Sequence, residues 1–115
     1  MKDISGKIEY KGVEYRLVFD LNVLEEIQDE YGSFGKWGDL VDGVDGETDI
    51  KAFKFGIHAA LNEGIEIMNE ENGTDIKPFT LRQVGRMLTE IGLEKMDEIL
   101  HQTLADSMHC EEKNV

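Results

Sequence analysis

Three histidines, His58, His101 and His109, and the lone Cys110 are the side chains able to bind a soft metal. Structural zinc needs four converging ligands. His109 and Cys110 are adjacent and point to different sides of any helix, His101 lies eight residues before His109, and His58 would have to arrive from elsewhere. No zinc spacing results, and no metal or cofactor is expected. The acidic run Asp39, Asp42, Asp45, Glu47 and Asp49 invites a calcium reading. A helix–loop–helix calcium loop places its first ligands at alternate positions and a bidentate Glu at its twelfth. Here the aspartates stand three apart and no Glu lies at the required distance, so a solvated loop is expected. The stretch from Gly32 to Gly38, with Gly35 and Lys36, lacks the Gly-Lys-Ser/Thr ending of a phosphate loop and follows a helical pattern where a strand is required. Ser5, Ser33 and Ser107 sit in no nucleophile-elbow pattern. These residues predict no catalytic constellation, and the chain reads as a non-enzyme.

The strongest local signals concern helix packing. Between Pro78 and Met108, Thr80 followed by Gln83 is a capping-box pattern, in which each side chain serves the other's backbone N–H. Leu81, Val84, Leu88 and Ile91 then share one face at helical spacing, and Gly92 is placed to end the helix in a left-handed conformation. A second stripe follows: Leu93, Met96, Ile99, Leu100, Thr103, Leu104 and Met108. Near the start, Ile4–Tyr10 and Val13–Phe19 flank Lys11-Gly12, a two-residue β-hairpin connection. Val13, Tyr15, Leu17 and Phe19 are expected on one face, with Glu14, Arg16 and Val18 on the other. A lone hairpin is marginal in water, so it must lie on helices.

A first helix is expected from about Asp20–Asn22 to Tyr31, with Leu21, Leu24, Ile27 and Tyr31 inward. Residues 33–48, carrying Gly35, Gly38, Gly43 and Gly46, read as irregular, with Trp37 and Leu40 in a short inward turn. A second helix from about Asp49 to Asn69 carries Phe53, Ile57, Ala60, Leu61, Gly64, Ile65 and Met68, with Ala60 and Gly64 small enough for a neighbouring helix to come close. The expected fold is α+β, an N-terminal β-hairpin packed on a bundle of about four α-helices. Its expected core is Leu17, Phe19, Leu24, Ile27, Phe53, Ile57, Leu61, Val84, Leu88, Ile99, Leu100 and Leu104. Residues 1–110 form one domain in this reading, with 111–115 as a flexible tail.

The 115 residues carry a formal charge of −13. Residues 20–50 hold ten acidic side chains against Lys36 alone. That sign opposes nucleic-acid binding, which depends on neutralising phosphates, and disfavours anionic membranes. The acidic middle keeps the protein dispersed or attracts a basic partner. No apolar run approaches the roughly 20 residues of a membrane span, the first ten residues lack the apolar core of a secretion signal, and one cysteine cannot form an internal disulfide. A cytoplasmic protein is expected. Three classes stand against one another: a helical module that binds apolar partner helices in a groove, an acidic inhibitor or nucleic-acid mimic occupying a basic groove, and, least favoured, a small metal-dependent enzyme.

Several phrases in order resemble the tail assembly chaperones of long-tailed bacteriophages and prophages. They are YRLVFD at Tyr15–Asp20, LNVLEEI at Leu21–Ile27, an acidic glycine-containing linker, IHAALNE at Ile57–Glu63, TLRQVGRML at Thr80–Leu88, Ile99-Leu100, and LADSM at Leu104–Met108. The resemblance covers roughly Gly6 to Met108 and rests on apolar and small residues in order. It implies a non-catalytic chaperone that coats the long, apolar tape measure protein and helps bring tail tube subunits to it, in the cytoplasm of the bacterial host and not in the finished virion. Self-association is compatible with that role. An apolar tape measure helix left bare would aggregate, and an acidic cover keeps such complexes apart. Methionine adapts to non-identical partners, so an exposed part of the set Met87, Met96 and Met108 is the expected contact.

The resemblance also implies two products, a longer one arising by a one-base backward slip near the end of the short frame. Glu112-Lys113-Asn114 can be encoded GAA-AAA-AAC or GAA-AAA-AAU, which contain slippery heptamers in the required phase. The expectation is that Val115 ends the short form.

Overall fold

The computed structural model describes the main chain of residues 5–44 and 46–113 and the side chains of residues 6–44 and 46–104. Among them, a two-stranded antiparallel hairpin, β1 (Ser5–Tyr10) and β2 (Val13–Val18), is followed by five helices. These are α1 (Leu21–Tyr31), α2 (Phe34–Asp42), α3 (Ile50–Asn72), α4 (Leu81–Ile91) and α5 (Leu93–Lys113). The fold is α+β, with one helix more than the sequence predicted.

The hairpin register pairs Tyr10 with Val13 and, one rung at a time, ends at Ser5 with Val18. Its turn residues Lys11 and Gly12 both take positive φ, 52° and 79°. Such a turn carries the same twist as the strands it joins. Side chains of Ile8 and Leu17 enter the core from one face; Val18, on the other, is buried too, whereas Val13 remains 45% exposed beside the turn.

Polar side chains open four helices. Asp20, Ser33, Asp49 and Thr80 accept from the backbone N–H of Val23, Lys36, Ala52 and Gln83 respectively, and the Thr80–Gln83 capping box is complete. Such a cap satisfies a donor that the helix cannot and stabilises it by about 1 kcal/mol.

The extra helix is α2, in the segment expected to be irregular. Gly35 and Gly38 inside it each cost about 1 kcal/mol against alanine. Burial of Trp37 and Val41 overrides that preference, and Gly43, left-handed at φ 68°, ends the helix. Trp37 is wholly buried, while Leu40 is 38% exposed and does not turn inward as expected.

Helix α3 is the centre of the molecule. It touches β2, α1, α2 and α4, and Ala52, Phe53, Gly56, Ile57, Ala60, Leu61, Gly64 and Ile65 are all buried along it. Gly64 does allow close approach, but by a strand: a Cβ there would meet the carbonyl oxygen of Arg16 in β2. Gly56 likewise lies against the Trp37 indole. Most expected core residues are buried; Leu24, Ile99 and Leu104 are only half-buried. At the helix starts Leu21, Leu81 and Leu93 are exposed, at 82%, 46% and 43%. Periodicity placed them on an inward face; in α1 and α4 the third and fourth residues, Val23 and Val84, are buried instead. Gly92 joins α4 to α5 at φ 100° and ψ 135°, an extended positive-φ conformation that only glycine adopts readily, not the left-handed cap expected. Helix α5 runs through Lys113, three residues into the stretch read as a tail; Asn114 and Val115 lie outside the described residues.

Two asparagines hold the chain as it returns from α3 to α4. Asn69 donates to the carbonyl of Ile76 and accepts from its N–H, both at 2.9 Å. Asn62, two turns earlier, does the same with Phe79 at 2.9 and 2.8 Å. Each amide pairs with a residue's two main-chain groups, so the linker needs no strand partner.

Candidate interaction surface

Of the four soft-metal candidates weighed from the sequence, the two with described side chains lie on different helices. His58 is half-buried on α3 and His101 lies on α5, while the side chains of His109 and Cys110 lie outside the described residues. Among the described residues no group of three or more His, Cys, Asp or Glu side chains is arranged to hold a metal ion. The acidic run is divided between structural roles. Asp39 and Asp42 belong to α2, and Asp49 caps α3.

The methionines are placed differently from the expected partner surface. Met87 and Met96 are fully buried between α4, α5 and the rest of the core. In this fold neither is exposed, because both lie on the inner faces of their helices. The side chain of Met108 lies outside the described residues.

Exposed apolar side chains occur instead around the α2–α3 turn, where Leu40 is 38%, Val44 65% and Ile50 48% exposed. The turn is closed by the N–H of Asp49 donating to the carbonyl of Leu40 at 2.9 Å. Beside it a groove of about 610 Å³ is lined by Tyr31, Lys36, Asp39, Leu40, Glu47 and Asp49 among others. The Tyr31 hydroxyl is buried without a hydrogen-bond partner among the described residues. Burial first, and the charges of Asp49 and Glu30 second, hold its ionisation above the ordinary phenol range.

An acidic surface lies between α1 and α3, where Glu25, Glu26, Glu63, Glu66 and Glu70 line a groove of about 370 Å³. Sequence had placed the acidic centre in residues 20–50; three of these glutamates come from α3, because the helices lie side by side. Glu63 accepts from Asn22 Nδ2 at 3.1 Å. Its pKa is pushed up to about 7, chiefly by a hydrogen bond with Asp20, then by burial and by the charges of Asp20 and Glu66, against the opposing bond from Asn22. Two carboxyl groups this close cannot both ionise freely.

Across the molecule, His101 clasps α2 to α5. Its Nε2 meets Asp42 Oδ1 at 2.8 Å, and its Nδ1 meets the Asp97 carbonyl at 2.9 Å. With acceptors at both nitrogens the doubly protonated ring fits best. The pKa is raised, first by the Asp97 backbone bond and then by Asp42, although burial opposes.

Both shifts have one sign. The folded state holds protons that the unfolded chain releases, so this stabilisation is complete below the unfolded pKa values and is lost as pH rises through the folded ones. Stability is therefore expected to fall between about pH 4.5 and 8 from these groups. Glu63→Gln keeps both hydrogen bonds without the charge. It should raise stability at pH 8 by about 1 kcal/mol, after allowance for solvent screening, and by little at pH 4.5. Urea unfolding at the two pH values measures this; an equal effect at both would contradict the shared proton.

Compared with known proteins, the chain matches no family model, no curated protein and no solved structure. Among the described residues no helix is long and apolar enough to cross a membrane.

Proposed function

We propose that this protein is a non-catalytic tail assembly chaperone that covers apolar segments of a tape measure protein and helps recruit tail tube subunits, acting in the host cytoplasm. The resemblance in sequence supplies the class. The observation that supports a binding role is the α2–α3 turn, which presents Leu40, Val44 and Ile50 among Asp39, Asp42, Glu47 and Asp49. Apolar side chains give contact with a hydrophobic helix, and the surrounding charge limits association of the covered complexes with one another. This turn replaces the buried Met87 and Met96 as the proposed contact.

Co-expression tests the reading. The tape measure protein is expected to be soluble with the wild-type chain, insoluble without it, and largely insoluble with the double variant Val44→Asp, Ile50→Asp. Both positions are exposed, so the variant should fold. Equal solubility with and without the chain would rule the chaperone reading out.

The glutamate groove between α1 and α3 favours one alternative, an acidic inhibitor that occupies a basic groove. Ionic strength separates the two. Capture through apolar contact persists in high salt, whereas capture through exposed carboxylates is screened.

A further inference from the structure

The fold treats the two edges of its hairpin differently. Helix α3 covers the outer edge of β2, with Gly64 against the Arg16 carbonyl. Among the described residues the outer edge of β1 is left open. A two-residue turn makes Tyr10 and Val13 a hydrogen-bonded pair, and such pairs recur at Ile8–Tyr15 and Gly6–Leu17. Lys7 and Glu9, at the alternate positions, turn their main-chain N–H and C=O groups outward. Both residues are exposed, and no other element among the described residues hydrogen-bonds that main chain. Beside this edge runs a groove of about 720 Å³ between Gly6 and Lys7 on one side and Glu98, Ile99 and Gln102 of α5 on the other.

The charges on the hairpin's exposed face are paired like with like. Lys7 stands directly opposite Arg16, and Glu9 directly opposite Glu14. Such pairs destabilise a sheet. Arg16 is held by Glu71 of α3 at 3.3 Å, and Lys7 makes a weak diagonal contact with Glu14, at 3.9 Å between exposed groups. A second β1 running antiparallel along the open edge, centred on Ile8, sets each Lys7 against the other copy's Glu9. In that register Lys7 and Glu9 also exchange both main-chain hydrogen bonds, since both face outward. Charge and hydrogen bonding select the same alignment.

We propose that two copies of this chain associate through β1 into a four-stranded antiparallel sheet, about a two-fold axis at Ile8. The helices leave room for it. Helix α5 packs on β1, and at Gly6 its Thr103 Oγ1 fills the place a Cβ would take, on the face that Ile8 and Leu17 share. Two residues on either side of the axis separate the two α5 crossings by about 13 Å, more than the roughly 8–10 Å between packed helices.

Sedimentation equilibrium with two charge-reversed variants tests this. The wild-type chain is expected at twice its 13.1 kDa mass. Lys7→Glu puts two acidic pairs across the axis and Glu9→Lys two basic pairs, so each variant alone should remain at 13.1 kDa where the wild type is dimeric. An equimolar mixture of the two should return to double mass, because each then supplies the charge the other lacks at both rungs. Hydrogen exchange on the unaltered protein gives a second readout: the amides of Lys7 and Glu9 should gain protection as concentration rises. A wild-type chain that stays at 13.1 kDa with those amides unprotected overturns the proposal. So do single variants as dimeric as the wild type, or a mixture that fails to re-associate.

Discussion

Trp37→Ala is expected to destabilise the fold by about 3–5 kcal/mol, a large part of the roughly 5–15 kcal/mol available to a domain of this size. Trp37 is 0% exposed and packs on Phe34 and Phe19, with ring centroids 5.4 and 6.2 Å away. Its Nε1–H donates to the carbonyl of Ala52 at 2.8 Å, joining α2 to the first turn of α3. Alanine removes the ring, empties the space against Gly56, and leaves α2 as a short helix with two internal glycines and little to hold it. Trp37→Phe keeps most of the buried surface and should lose less than half as much. Urea unfolding followed by far-UV circular dichroism measures both, since the variants lack the only tryptophan. A loss below about 1 kcal/mol for Trp37→Ala would mean that α2 is not held by this side chain.

Gly64→Ala should destabilise the fold although alanine is the better helix former. A Cβ at this position would collide with the carbonyl oxygen of Arg16. The obstacle is main chain held in the hairpin, so it cannot rotate aside, and α3 would have to lift from β2. Alanine is the better helix former by about 1 kcal/mol, yet overpacking of this kind costs about 1–3 kcal/mol or more. A net loss of about 2 kcal/mol is expected. Gly38→Ala is the control, because a Cβ there meets nothing within 4 Å. It should raise stability by about 0.5–1 kcal/mol, the intrinsic preference alone. Opposite signs for two glycine-to-alanine changes within helices are the expected result; stabilisation by both would contradict the close approach of α3 to β2.

The Lys11-Gly12 turn, the Thr80–Gln83 capping box, the helical stripes of Val84, Leu88 and Leu100, and the change from strand to helix at Asp20 were all legible in the sequence. Each depends on residues within four positions of one another, and such short-range geometry is written directly in residue order. The net charge of −13 was equally plain. Helix α2 was hidden, because its glycines signal a loop and only Trp37, filling a space bounded by Phe19, Phe34 and Gly56, reverses that preference. The roles of Asn62 and Asn69 were hidden too, although their spacing of two helical turns was a usable sign once the linker was known to run back along α3.

The candidate surfaces depended most on tertiary structure. Met96 stands in an apolar stripe and Met87 three residues after Val84, so both could be core or contact; α4 and α5 pack with those side chains inward, whereas Leu40, Val44 and Ile50 are exposed. The shared proton of Glu63 arises because α1 and α3 bring together Asp20 and a glutamate far along the chain. The open edge of β1 is decided the same way. A strand's outward main-chain groups are identical in every sequence, and whether a helix covers them, as α3 covers β2, is settled only when the whole chain has packed.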